Sequence, residues 1–207
     1  IAFSAAWLIY NHTANEWSMD GYLKNSDHIY RVITRYDDED FWNSRTNTPF
    51  GPTAKQTFPE IVQVARYFQK DYLIKIKEDQ DFIVEPKLAF VDLPFFDLFE
   101  IPAVQGKIDT TVFSWIVFTE TSAKRYFNKE NPIGKMVSIK DLVNNRKKEI
   151  KCQLVAVVKD FPANSRFRQT SWWIADKEPR ILTNIEEITL CIHILYFTHR
   201  RPSNYRK

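Results

Sequence analysis

Thr119 separates two stretches of opposite periodicity. Trp115, Ile116, Val117 and Phe118 form an unbroken apolar run. A run that short and that apolar suits a strand buried on both faces. From Glu120 to Phe127 the spacing changes. Ala123, Tyr126 and Phe127 fall on one helical face, Thr119 can cap the first turn, and Glu120 sits where an acidic side chain favours the helix dipole. A buried strand feeding a capped two-turn helix fits a fold that mixes strands and short helices.

The remaining segments are mostly strand-like. Residues 28–36, 61–68, 73–77, 81–85, 136–139 and 150–158 read as strands, and Ile74-Lys75-Ile76-Lys77 alternates as a half-solvated strand does. A short helix is expected from about Pro52, stopped by Pro59, and one helical turn from Pro94 to Phe99 with Phe95, Leu98 and Phe99 together. Asn131-Pro132-Ile133-Gly134 is a turn signal, and residues 37–47 and 160–165 read as loops. Beyond Arg168 no clear amphipathic element emerges. The expected class is α+β, with mixed or antiparallel sheets, a few short helices and two intimately packed subdomains.

Composition narrows the function. The 207 residues include sixteen Phe, nine Tyr and six Trp but only four Gly, which favours pleated surfaces over glycine-rich phosphate loops. Hydrophobic residues at 44% and charged residues at 27% describe an ordinary globular chain, not a disordered one. A net charge of +3 gives no nucleic-acid signature. The acidic run Asp37-Asp38-Glu39-Asp40 and the basic run Arg146-Lys147-Lys148 read as solvated turns, and the basic end from His199 to Lys207 as a frayed terminus. Cys152 fits a buried strand position; two cysteines leave a Cys152–Cys191 pairing open.

The first ten residues carry no charge and are too short to span a bilayer, which takes ~20 apolar residues. They have the character of the last turns of a longer apolar helix, with an ordinary buried N-terminal helix as the alternative. Trp7 and Tyr10 suit a membrane–water interface, and the polar stretch from Asn11 to Glu16 reads as the exit from it.

No chemistry-bearing motif is present. P-loop, dinucleotide-binding and nucleophile-elbow patterns are absent. His12, His28, His193 and His199 do not sit at zinc-ligand spacing. The carboxylate pairs Asp20 with Asp27 and Asp92 with Asp97 have no evident partner to shift a pKa. Asp160, before Phe161-Pro162, reads as an acceptor for its own turn. No catalytic, cofactor or metal residue is assigned.

Five segments in order carry a family resemblance. They are residues 19–32, with Asp20, Asp27, Tyr30 and Arg31; Thr48-Pro49 and then Phe58-Pro59-Glu60-Ile61; residues 90–99, ending in Asp97-Leu98-Phe99; residues 117–127 with Thr119 and Phe127, followed by Pro132 and Gly134; and residues 155–165 with Asp160, Pro162 and Ser165. Together they resemble the MacB-like periplasmic core domain of FtsX-type ABC transporter permeases, in its Bacteroidetes-like version. Asn128 stands where the family usually has Gly, Ala156 likewise, and Arg166 where it has His.

The resemblance implies that residues 1–10 end a first transmembrane helix and that 11–168 form the periplasmic core domain. Residues 169–207 form an atypical segment, truncated or shifted in frame. It implies a non-enzymatic domain outside the inner membrane that couples ATP hydrolysis by a separate cytoplasmic ATPase to handling of a substrate or partner. Expected partners are that ATPase, a second permease copy and a periplasmic protein, with no nucleic acid. The matched residues are expected to specify the fold. The alternatives are a free-standing periplasmic binding module of the same fold and a hydrolase using dispersed carboxylates such as Asp97 and Asp160.

Overall fold

The computed structural model describes residues 2–35, 42–108, 114–142, 149–167, 172–176 and 190–197. In chain order the elements are helix α1 (Ala2–Trp17), a 3-10 turn (Ser26–His28), β1 (Ile29–Arg31), β2 (Thr46–Asn47), α2 (Phe50–Thr57), β3 (Ile61–Lys75), β4 (Ile83–Val91), α3 (Pro94–Leu98), β5 (Ala103–Gly106), β6 (Ser114–Thr119), α4 (Glu120–Phe127), β7 (Met136–Asp141), β8 (Ile150–Val158), β9 (Trp172–Asp176) and β10 (Leu190–Phe197). The class is α+β, as the sequence predicts.

The strands run in the order β1-β10-β3-β4-β9-β6-β8-β5, with β2 on β10 and β7 bridging β3 and β8. Only β4–β9 and β6–β8 are parallel. The pairings β3–β4, β4–β9, β9–β6, β6–β8, β8–β7 and β7–β3 form a closed circuit. Closure of this kind removes exposed strand edges.

Two cores share these strands. Ile74, Leu88, Phe90, Ile116, Phe118, Val137, Ile139, Cys152 and Leu154 lie on one face, where Ala123 and Phe127 of α4 join them. The alternate residues Ala65, Tyr67, Ala89, Val91, Trp115 and Val117 pack on the other face against Phe95, Phe96, Leu98 and Phe99 around α3. The period-2 alternation of a strand sends neighbours to opposite faces, and here both faces are buried. That explains why the run at Trp115 is apolar without interruption. A third, smaller cluster joins Ala54 of α2 to Ile61, Leu195 and Phe197.

Several elements differ from the sequence reading. Helix α1 continues through the polar stretch to Trp17, where Asn11 Nδ2 and Thr13 Oγ1 donate back to the carbonyls of Trp7 and Ile9 at 2.8 and 2.9 Å. Strand β1 is only three residues long, followed by an isolated Thr34–Asn43 bridge. The two strands expected across residues 61–77 are one strand of 15 residues. Strand β4 runs through Pro86, where it carries an extra residue. Lys70 pairs with Leu88 and Tyr72 with Glu85, Lys87 takes φ 59°, and its N–H donates to the Asp71 carboxylate at 3.0 Å. Proline inside a sheet is confined to such bulges and edges, so its presence hid the strand.

Strands β2, β5, β9 and β10 were not foreseen; β2 lies at the end of the expected loop 37–47, where Thr46 and Asn47 pair with Cys191 and Leu190. β9 is hydrogen-bonded on both sides, and β10, between β1 and β3, sends Ile194 to the α3-side core and Leu195 to the smaller cluster, so β10 lacks the alternation of a half-solvated strand. The runs at 37–40 and 146–148, Gln169, Glu186, Glu187, the segment from 198 and the side chains of Cys191 and His193 lie outside the described residues.

Candidate functional site

Helix α1 buries none of its residues. Phe3, Trp7, Leu8, Ile9, Tyr10 and Trp17 are exposed by 59% or more. At 1.5 Å per residue it extends ~24 Å. A helix apolar on its exposed surface needs a partner outside the described chain, and the place where it joins the body is therefore of functional interest.

That junction is a clasp between residues 18–22 and the loop 160–167 after β8. Asp20 adopts φ 56°, a left-handed conformation that Asp tolerates better than most residues. Its N–H donates to the Asn164 carbonyl at 2.8 Å, and Asn164 Nδ2 donates to the Ser18 carbonyl at 2.8 Å. The Asp20 carboxylate accepts the Arg166 N–H at 3.1 Å and pairs with Arg166 Nε at 3.0 Å. Tyr22 Oη and Ser165 Oγ are 3.0 Å apart, and Ser165 Oγ accepts the Phe167 N–H at 3.1 Å. Ser165, 1% exposed, is bound in turn to the Pro162 carbonyl at 3.0 Å. Leu23 and Phe167 then enter the α3-side core, which fixes both halves of the clasp to the body.

The electrostatics match this geometry. Burial raises the Tyr22 pKa; the bond to Ser165 works against the rise and the Asp20 charge adds to it. Partial burial lowers the Arg31 pKa, and the like charge of Arg166 lowers it further. The Arg31 guanidinium thus feels the Arg166 guanidinium as a like charge.

The clasp unites the first and fifth motif segments. It gathers Asp20, Pro162 and Ser165, with Arg31 close enough to feel the Arg166 charge, while the other motif residues serve elsewhere. Asp27 lies in the 3-10 turn. Tyr30 meets Phe197 edge-to-face at 5.4 Å. Pro59 and Glu60 form the turn between α2 and β3, Glu60 being exposed. Phe99 stacks into the α3-side core, 4.5 Å from Phe95 and 4.9 Å from Phe167. Thr119 caps α4 by accepting the Ser122 N–H at 3.4 Å, as expected. Phe127 packs in the α4-side core. Pro132 and Gly134 (φ 85°) form a turn whose Gly134 N–H donates to Leu154 at 2.7 Å.

Asp160 does not serve its own turn. Its carboxylate accepts the Thr121 N–H at 3.0 Å and the Thr121 hydroxyl at 2.7 Å, so it caps α4 from across the fold. Of the carboxylate pair Asp92 and Asp97, Asp92 is held bidentately by buried Arg66 at 2.7 and 2.8 Å, whereas Asp97 is exposed on α3. Among the described residues no group of three His, Cys, Asp or Glu side chains could hold a metal.

Sequence reasoning missed Arg166 as a partner, noting only its departure from the family's residue, and missed Tyr22 and Asn164. The 146 residues between Asp20 and Arg166 give no local spacing to read. Opposite charges in two motif segments are the one available signal.

The end of β10 lies nearby along the chain path. His28 Nδ1 is 3.2 Å from the Phe197 carbonyl oxygen, and Ile29 pairs with Tyr196. The chain therefore returns, at Phe197, to the place where it enters the body.

No family model matches the chain, and no curated protein does. Solved structures do. A domain assigned to a permease protein of Porphyromonas gingivalis has a TM-score of 0.64 at 17% identity, covering 88% of this chain and 79% of that one. The periplasmic region of MacB from Actinobacillus actinomycetemcomitans scores 0.61 at 13% identity, covering 86% and 78%. The extracellular domain of the ABC-type transporter YknZ from Gram-positive bacteria scores 0.56 at 11% identity, covering 83% and 84%. The chain thus has the fold of a MacB-like periplasmic domain, the fold also found in the extracellular domain of YknZ.

Proposed function

We propose that this chain is the non-catalytic extracytoplasmic domain of an ABC transporter permease, held at the inner-membrane surface by α1. The observation that carries this reading is the clasp. An exposed apolar helix is pinned through Ser18, Asp20 and Tyr22 to the loop that leaves β8, and β8 is a member of the closed strand circuit. A displacement of α1 would reach the body through this joint, which is how ATP hydrolysis by a cytoplasmic ATPase would move a periplasmic domain. The return of the chain at Phe197 to its point of entry fits a domain inserted between two membrane segments. A second permease copy and a periplasmic protein are the further partners of this reading. No helix of the described residues is long and apolar enough to cross a membrane, so α1 would act as the membrane-proximal part of a longer helix.

The test is topological. Exposed Lys55 of α2, changed to Cys in the full gene, is labelled in spheroplasts with a membrane-impermeant maleimide, and the membranes are then fractionated. Labelling of intact spheroplasts and recovery in the inner membrane support the reading. Labelling only after lysis overturns it, and protein released with the soluble periplasmic fraction as the spheroplasts are made gives the free-standing module instead.

A further inference from the structure

Strand β5 ends the sheet order and, among the described residues, pairs with β8 alone. All four of its residues, Ala103, Val104, Gln105 and Gly106, are exposed, Val104 by 50%. Sheet edges are commonly defended by charged side chains or proline, and β5 carries neither. The chain that leaves it turns to the far face, where Ile108 packs against the α3-side core. Gly106 fixes that exit. Its φ is 70°, and a Cβ there would lie 2.2 Å from the Val155 carbonyl oxygen. Among the described residues no strand pairs with the opposite side of β5.

Over the face of β5 that looks toward α4 lies a groove of about 910 Å³, between β5, α4 and the turn after α4. Val104, Val157, Ala123 and Ile133 give it an apolar lining. Lys124 and Lys129 line it beside Glu120 and Glu130, and exposed Lys107 follows the lining residue Gly106. Glu130 is bound by Lys135 and Lys77, and among the described residues Lys107, Lys124 and Lys129 have no ion pair, so the balance of charge around the groove is positive.

We propose that β5 and this groove bind an extended polypeptide segment of a partner protein by strand addition, with apolar side chains directed into the groove and carboxylates toward the lysines. An exposed edge supplies backbone donors and acceptors at the spacing of a strand, the flanking pocket takes alternate side chains, and charge selects the sequence. An anionic lipid headgroup would use the lysines but not the edge, which is why the strand geometry favours a peptide. The inference is independent of transport coupling.

The experiment uses the full chain in non-ionic detergent and a fluorescein-labelled decapeptide of alternating Val and Glu. Three observations are expected: saturable anisotropy binding; slowed amide exchange confined to residues 103–106; and weaker binding to a peptide with Pro at alternate positions, which lacks donors. Lys124→Glu with Lys129→Glu, both on the surface, is expected to weaken the Glu peptide roughly ten-fold and to favour a Val/Lys peptide instead. Absence of saturation, equal binding of the Pro peptide, protection elsewhere in the chain or indifference to charge reversal each overturns the proposal. Binding of anionic vesicles without protection at β5 assigns the lysines to lipid and overturns it as well.

Discussion

The Asp20 carboxylate takes both the backbone N–H of Arg166, at 3.1 Å, and its Nε, at 3.0 Å, so one side chain holds a residue 146 positions away by main chain and side chain together. The Arg166 side chain is 54% exposed and that of Asp20 20% exposed, so water screens the charge part of this contact. A double-mutant cycle with Asp20→Asn and Arg166→Gln is expected to give a coupling of about 0.5–1 kcal/mol, reduced by salt. Asn tolerates the left-handed backbone, so Asp20→Asn isolates the charge. Asp20→Ala removes the acceptor and strains the backbone, and is expected to cost about 1–2 kcal/mol more in urea unfolding. Zero coupling and an unchanged exchange rate at the Arg166 amide would show that the clasp holds nothing.

Glu85 is 1% exposed, and its carboxylate accepts the Tyr126 hydroxyl as well as Arg125 Nη1 at 3.4 Å. The Tyr126 pKa is pushed up to about 12, first by burial and then by the bond to Glu85, with Arg125 opposing. The folded chain thus holds this proton more tightly than the unfolded chain, whose value is 10.0. The contribution is complete below about pH 10 and declines as the pH rises from there toward 12. Tyr126→Phe is expected to flatten that decline in urea midpoints measured from pH 8 to 11.5. At neutral pH the same variant loses about 1–3 kcal/mol, because Glu85 stays buried with one donor fewer. A variant whose midpoint keeps the wild-type slope would remove Tyr126 from the account.

Local physics explains what the sequence made legible. Thr119 announced its helix because a cap, a first-turn acid and an apolar face all lie within nine residues, and the structure has all three. The motif glycine at 134 was readable because its φ of 85° and its turn are decided within a few residues. Long-range partners were not readable. Asp160 looks like a turn acceptor until the fold brings Thr121 to it, and Asp20 looks unpartnered until it meets Arg166. Pro86 broke the apparent end of β4 because a bulge absorbs it only once β3 is alongside. The β10 segment has no alternation because Ile194 enters the α3-side core while Leu195 enters the smaller cluster, so both faces are buried.

Gly106→Ala tests how tightly the end of β5 is held. The added Cβ would sit 2.2 Å from the Val155 carbonyl oxygen and 2.9 Å from Ile133 Cδ1, and the φ of 70° is strained for any L side chain. Backbone atoms cannot retreat as a flexible side chain can, so the two effects add. The expected loss is about 2–4 kcal/mol in urea unfolding, with faster exchange at residues 103–106. Gly21→Ala is the control. There the nearest contact, the Ser18 carbonyl oxygen, is 3.1 Å away and the backbone is not in the left-handed region, so a much smaller loss is expected. Equal midpoints for the two variants would mean that β5 shifts freely on β8.

Strand β10 decides whether the N-terminal half of the sheet can exist. It is the partner of β1, of β2 and of the first half of β3, and it contributes Leu195 and Phe197 to the cluster with Ala54 and Ile61. Without it, β1 and β2 have no other strand to pair with among the described residues. A chain stopped after Asp176 is therefore expected to lose cooperative unfolding, since β3 retains partners only over its second half. Phe197→Ala separates packing from pairing. This ring is 4% exposed and meets Tyr30 edge-to-face, so its removal is expected to cost about 3–5 kcal/mol while the strand stays paired. Urea unfolding followed by Trp fluorescence and by far-ultraviolet circular dichroism reads both. If the shortened chain keeps the wild-type midpoint by both probes, β10 is an ornament of the sheet and the fold closes without it.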